Sequence, residues 1–194
     1  MRNILIVTGG IVAVAAIAAG VYFGTRPAAP GPTPVAVAAT PDKTALLAVL
    51  PSDHVLGKPN APNIIIDYFS LTCPHCANFS AAVLPVVKSE WIDTGRVRFI
   101  YRHFPSDSVA THAAQLAEGA GRAKFYDAVS TLFRSQVDWL TASDPESEMV
   151  KAVGEVGLSA AAARACFADD RLLDKVIADV QSGQSLQEIG RAHV

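Results

Sequence analysis

Cysteine is scarce in this chain, with three in 194 residues. So few thiols exclude a disulfide-stapled miniature, and together with only five histidines they exclude a metal-rich protein. Charge is also thin: 18% of residues are charged and the net charge is −2, which gives no electrostatic case for nucleic acid. No internal repeat is visible. What the chain has in quantity is apolar side chain, at 51%. Its length allows one domain plus an appendage.

Part of the apolar excess lies at the N-terminus. Ile4 to Gly24 (ILIVTGGIVAVAAIAAGVYFG) is 21 residues with no ionisable group except Tyr22. Roughly 20 residues of helix cross the hydrocarbon core, so residues 4–24 are long enough to span a membrane. A removed signal peptide has a shorter apolar region, about 7–15 residues, although Ala18-Ala19-Gly20 offers a small-residue cleavage site. Residues 1–26 are therefore expected to be a signal anchor, with a cleaved signal peptide as the alternative. Either sends the rest of the chain out of the cytoplasm, anchored in the inner membrane on the first reading. Arg2 and the terminal amine weakly favour an N-inside orientation. Residues 27–50 read as a spacer, Pro- and Ala-rich and uncharged over 27–41, followed by a short helix over Thr44 to Leu50 that Pro51 stops.

The folded part is expected over 51–187. Turn chemistry fills 51–63. Ile64 to Phe69 is an apolar run broken only by Asp67, which suits a strand buried on both faces. Apolar residues Phe79, Val83, Val86 or Val87, and Trp91 then recur at helical spacing over 74–91, with Pro85 expected to kink that helix. Val97 to Phe104 alternates as the next strand. Strand, helix and strand make a crossover unit with a parallel pair. Over about 106–182 only helices are expected. One runs from Arg122 to Gln136, another opens at Ser143-Asp144-Pro145 and closes at Gly157, a third is capped by Ser159, and Leu172, Val176 and Val180 mark the last. The fold class is α/β with an all-helical insertion.

Cys73-Pro74-His75-Cys76 falls where the first strand gives way to the helix. Unpaired amides and the dipole at a helix start favour negative charge, so Cys73 is biased toward thiolate, well below the ~8.5 of a free thiol. His75 adds a nearby donor, and Pro74 fixes the helix start. Cys76, three residues on, is close enough to close a disulfide with Cys73. Haem attachment requires His directly after the second Cys, where this chain has Ala77. Structural zinc lacks a second ligand pair, and a purely structural disulfide in so small a ring restrains little. Thiol–disulfide exchange fits the order of elements, with one cysteine attacking or attacked and the other resolving. It calls for no cofactor. Asp67, six residues before Cys73, is either a proton acceptor for Cys76 through a water or a carboxylate satisfied by backbone amides.

The stretch HVLGKPNAPNIIIDYFSLTCPHCANF, the acidic residue six positions before the first cysteine, RVRFIYRHFP and the helical region after it resemble the DsbA-like thiol:disulfide oxidoreductases of the thioredoxin superfamily, over about Val55 to Ser182. The resemblance implies a thioredoxin fold with a helical insertion and donation of disulfides to secreted or periplasmic proteins. It makes Cys73 the exposed nucleophile, Cys76 its buried partner, Pro74 and His75 the tuning pair, and Asp67 the proton carrier. Reduced secreted proteins or peptides would be substrates, and a membrane redox partner would reoxidise the enzyme. Cys166 reads as a small apolar core residue. His54, His103 and His112 receive no role.

The family pattern goes on to a cis-proline loop, two strands and a final helix. The prolines after the active-site helix, Pro105 and Pro145, do not fit that loop. The ending EIGRAHV back-translates to GAGATCGGAAGAGCACACGTC, a string resembling a common sequencing adapter. Residues 188–194 are therefore expected to be a non-native tail, and the chain without its cis-proline loop to be unstable and poorly active. Two alternatives stay open: a disulfide reductase or isomerase, and a non-enzymatic anchored binding module.

Overall fold

The computed structural model describes residues 47–190. The anchor or signal reading of residues 4–24, the 27–41 spacer and residues 191–194 of the tail lie outside the described residues. Of the expected helix over 44–50, residues 47–50 are described, and they form turn and irregular chain. The reason is local. The Leu50 amide donates to Asp53 Oδ2 (2.7 Å) and its carbonyl accepts from the Asp53 amide (3.0 Å), so a turn around Pro51 takes the groups a helix would use. Among the described residues, no helix is long and apolar enough to cross a membrane.

Three strands form the described sheet: β1 (Val55–Leu56), β2 (Asn63–Phe69) and β3 (Val97–His103), in the order β1-β3-β2. β2 and β3 run parallel, with Asn63 beside Val97 and Phe69 beside His103, and β1 pairs antiparallel with β3. β3, not β2, is the strand buried on both faces. β2 has a neighbour on one side only among the described residues, and its Ile65 is 39% exposed. An apolar run signals burial but cannot say which strand of a sheet lies centrally.

Between them, residues 74–92 form one helical segment, α1, whose regular turns Pro74–Asn78 and Leu84–Val87 alternate with wider π turns Phe79–Val83 and Lys88–Ile92. The amide of Leu84 reaches back five residues to the Phe79 carbonyl. Pro85 has no amide to donate and would clash with the turn before it, and the widened turn accommodates it.

The remaining helices are α2 (Ser108–Gly119), α3 (Phe125–Arg134), α4 (Gln136–Thr141), α5 (Pro145–Gly154), α6 (Ala160–Cys166) and α7 (Asp170–Gly190). No strand follows His103 among the described residues, and no peptide bond there is cis. The helix expected to run from Arg122 to Gln136 breaks at Ser135, whose hydroxyl turns back to the Thr131 carbonyl (3.0 Å). Caps fall where the sequence places them: Asp144 accepts from the Ser147 amide (3.0 Å) ahead of Pro145, and Ser159 accepts from the Ala162 amide (3.3 Å).

The core sits between the sheet and the helical region. On one sheet face Phe69, Phe99 and Tyr101 meet Phe79 of α1 and Tyr126 and Phe133 of α3. Trp139 is fully buried and donates its indole N–H to the Leu132 carbonyl (2.9 Å), which locks α4 onto α3. On the other face α7 approaches so closely that a Cβ at Gly183 would stand 2.8 Å from the Phe104 ring and 2.9 Å from Tyr68. Arg102 is also buried there, held by both oxygens of Asp53 at 2.9 and 3.0 Å. Such a pair tolerates burial because each charge answers the other. Cys166 packs under Gly119 and donates its S–H to the Ala162 carbonyl (3.2 Å), a core residue in its setting.

Candidate functional site

β2 ends at Phe69, and residues 70–73 carry the chain across the sheet's end to the start of α1. Cys73 occupies the N-cap in extended conformation, with Pro74 in the first turn. Its amide donates to the Ser70 carbonyl and its carbonyl accepts from the Ala77 amide, both at 3.1 Å. Cys73 therefore stands at the helix start, where the first amides lack backbone partners. Burial works against a thiolate at Cys73, but the nearby amides of Cys76 and His75 and the neighbouring Cys76 thiol favour the charge, and together they bring the pKa down. Cys76 shows the opposite behaviour. Burial first, then the neighbouring Cys73 and the charge of Asp67, push it up to about 11, against one opposing backbone hydrogen bond at Ser70. Both thiols are free and half-buried. The two thiols are thus shifted in opposite directions, Cys73 down and Cys76 up.

Asp67 is half-buried in β2 rather than sealed in a core, and burial raises its pKa above the usual carboxylate value. It shares an open, mostly apolar depression of about 390 Å³ with Cys76, His75, Ile65, Ile66 and Phe79. His75 is exposed, as is Pro74. The structure thus brings Asp67, His75 and Cys76 to one depression, and Cys73 is not among its lining residues. No direct hydrogen bond joins Asp67 to Cys76 among the described residues.

Several residues that hold the site carry no signal in the sequence. Gln136 of α4, 5% exposed, donates from Nε2 to the Leu71 carbonyl (2.7 Å) and the Cys73 carbonyl (3.1 Å). Thr72 donates to Asp107 Oδ2 (2.9 Å), as does Ser106 (3.0 Å), while Asp107 Oδ1 accepts from the Ala110 amide (2.7 Å) at the start of α2. Ser-Asp-Ser at 106–108 is visible as an N-cap pattern, but nothing local tells that it reaches Thr72. The histidines given no role are not idle. His54 Nε2 and His103 Nε2 stand 2.8 and 3.0 Å from the two oxygens of Glu118 in the interior.

A strand that gives way to a helix-capping cysteine, with a second cysteine one turn on, is an arrangement that thiol–disulfide exchange calls for. A thioredoxin family model matches residues 50–188, and the chain belongs to that family, in its DsbA-like branch. It is similar to Wolbachia pipientis alpha-DsbA1, at 32% identity and a TM-score of 0.68, covering 77% of this chain and 75% of that one. Bacillus subtilis BdbD shares the fold at 20% identity and a TM-score of 0.64, over 70% and 76% of the two chains. A Rickettsia bellii protein provisionally named a protein-disulfide oxidoreductase is 27% identical over 129 residues, 66% of this chain and 50% of that protein. The chain thus spans about half the length of that curated relative.

Proposed function

We propose that the protein is a thiol:disulfide oxidoreductase that donates the Cys73–Cys76 disulfide to secreted or periplasmic proteins outside the cytoplasm. The single observation that carries this reading is the placement of two free thiols at the start of one helix, Cys73 at its N-cap and Cys76 one turn on. In the first step a substrate thiolate attacks the Cys73 sulfur. The Cys73–Cys76 bond breaks, and the Cys76 sulfur leaves with the electron pair and takes a proton, which its high pKa favours. In the second step another substrate thiolate attacks the substrate sulfur joined to Cys73. The substrate disulfide forms and Cys73 departs as a stable thiolate. The substrate loses two electrons and the protein gains them. A low-pKa thiol leaves faster, and a stabilised thiolate stabilises the reduced protein, so the disulfide form is the oxidant.

Asp67, with its raised pKa and its place beside Cys76, is the group that supplies the proton to Cys76 through a water, and His75 and Pro74 tune the helix start. A membrane redox partner then reoxidises the pair, and residues 4–24 tether the protein to the inner membrane. Substituting Cys76→Ser tests the reading. Reduced C76S protein mixed with a disulfide-bonded peptide should accumulate a stable mixed disulfide through Cys73, visible by non-reducing electrophoresis and absent from Cys73→Ser. No adduct, or equal adduct with both variants, would refute it.

A further inference from the structure

We propose that Gln136, in the helical region, is a positioning residue for the exchange site: its carboxamide holds the carbonyls of Leu71 and Cys73 and so fixes the loop that presents the Cys73 sulfur at the start of α1. The proposal rests on the exchange reading of Cys73, but its test reads ionisation rather than turnover.

Four observations support it. Both groups facing the carboxamide are carbonyl oxygens, so it is the NH2 end that meets them, and its two N–H donors are spent on the two ends of one tripeptide. The Cys73 carbonyl belongs to a peptide bond with Pro74, which has no N–H, so nothing on the far side of that bond fixes the plane by donation. The Ala77 amide holds the same carbonyl from within α1, and Gln136 holds it from outside. The carboxamide is itself rigidly placed. It is almost fully buried, just after the Ser135 break, on the short helix that Trp139 pins to α3. A donor fixed in this way loses little freedom when it binds the loop.

The physical consequence is directional. Rotating the peptide planes of Leu71 and Cys73 would change how the loop's carbonyl dipoles face the sulfur. Holding those carbonyls toward α4 keeps their negative ends off the thiolate. The helical region then contributes to the chemistry through one side chain that touches neither the sulfurs nor the substrate.

The experiment uses the full chain with Gln136→Met, which keeps length and volume and removes both donors. The rate of alkylation of the reduced protein against pH gives the Cys73 ionisation. The midpoint should move up, with the acid dissociation constant falling about three- to tenfold, the scale of one neutral hydrogen bond. An unchanged midpoint in folded variant would overturn the proposal. A second measurement needs no substitution: in the isotopically labelled parent, the Gln136 side-chain amide resonances should shift with the Cys73 titration. Resonances that stay flat across it would overturn the proposal even if Q136M does not fold. Neither readout depends on whether the protein turns over substrate.

Discussion

Thr72 donates its hydroxyl to Asp107 across 2.9 Å, and through that bond the loop before Cys73 is tied to the first turn of α2. Asp107 does two things at once. One oxygen accepts from Thr72 and Ser106, and the other caps the Ala110 amide. Burial opposes its charge, but the Ala110 amide and the two hydroxyls outweigh it and lower the carboxyl pKa. Substituting Asp107→Ala should lower stability by about 0.5–2 kcal/mol, the usual cost of a lost N-cap. It should also speed amide hydrogen exchange at residues 70–73. A variant that loses stability with no change in exchange at the loop would show that the two roles are separate.

Asp67 stands close enough for its charge to raise both Cys73 and Cys76. Asp67→Asn should therefore lower both thiol pKa values while slowing the step in which Cys76 gains its proton. Stopped-flow exchange with a model dithiol across pH separates the two effects. Thiol pKa values that rise, or a proton-coupled step that does not slow, would contradict this account of the residue.

Glu118 is the buried junction between His54 and His103, with Lys175 4.0 Å away. Burial disfavours its charge, but hydrogen bonds from His103 and His54 win and hold its pKa well below the usual carboxylate range. For a carboxylate depressed in the folded state, the linked stability is present above the unfolded value of about 4.3 and is lost as pH falls below it toward the folded value. Glu118→Gln should cost about 1–3 kcal/mol at pH 7 and flatten the loss of stability in acid. Urea unfolding at neutral pH and near pH 4 checks this, and equal acid sensitivity in parent and variant would count against it.

Much of this was legible in the residues themselves. A two-thiol spacing that begins a helix after an apolar strand is a local pattern, and local patterns survive folding. Pro85 announces a disturbed helix, although not that the disturbance is a pair of widened turns. Ile64 to Phe69 reads as a central strand and lies at the described sheet's edge, because the neighbour that decides burial is far away in sequence. Gln136 lies more than sixty positions beyond Cys73 and looks like any polar residue on a helix. His54 and His103 look ordinary for the same reason: the Glu118 carboxylate, on a helix apart from both in the sequence, makes them matter, and only the assembled core brings the three together.

The central claim is that the start of α1 lowers the Cys73 pKa while burial raises that of Cys76. Titrating the reduced protein by its ultraviolet thiolate absorbance, with Cys76→Ser and Cys73→Ser separating the two sulfurs, tests it most directly. The account predicts that Cys73 ionises below a free thiol and Cys76 near 11. A Cys73 that ionises at or above the free-thiol value of ~8.5 would contradict it.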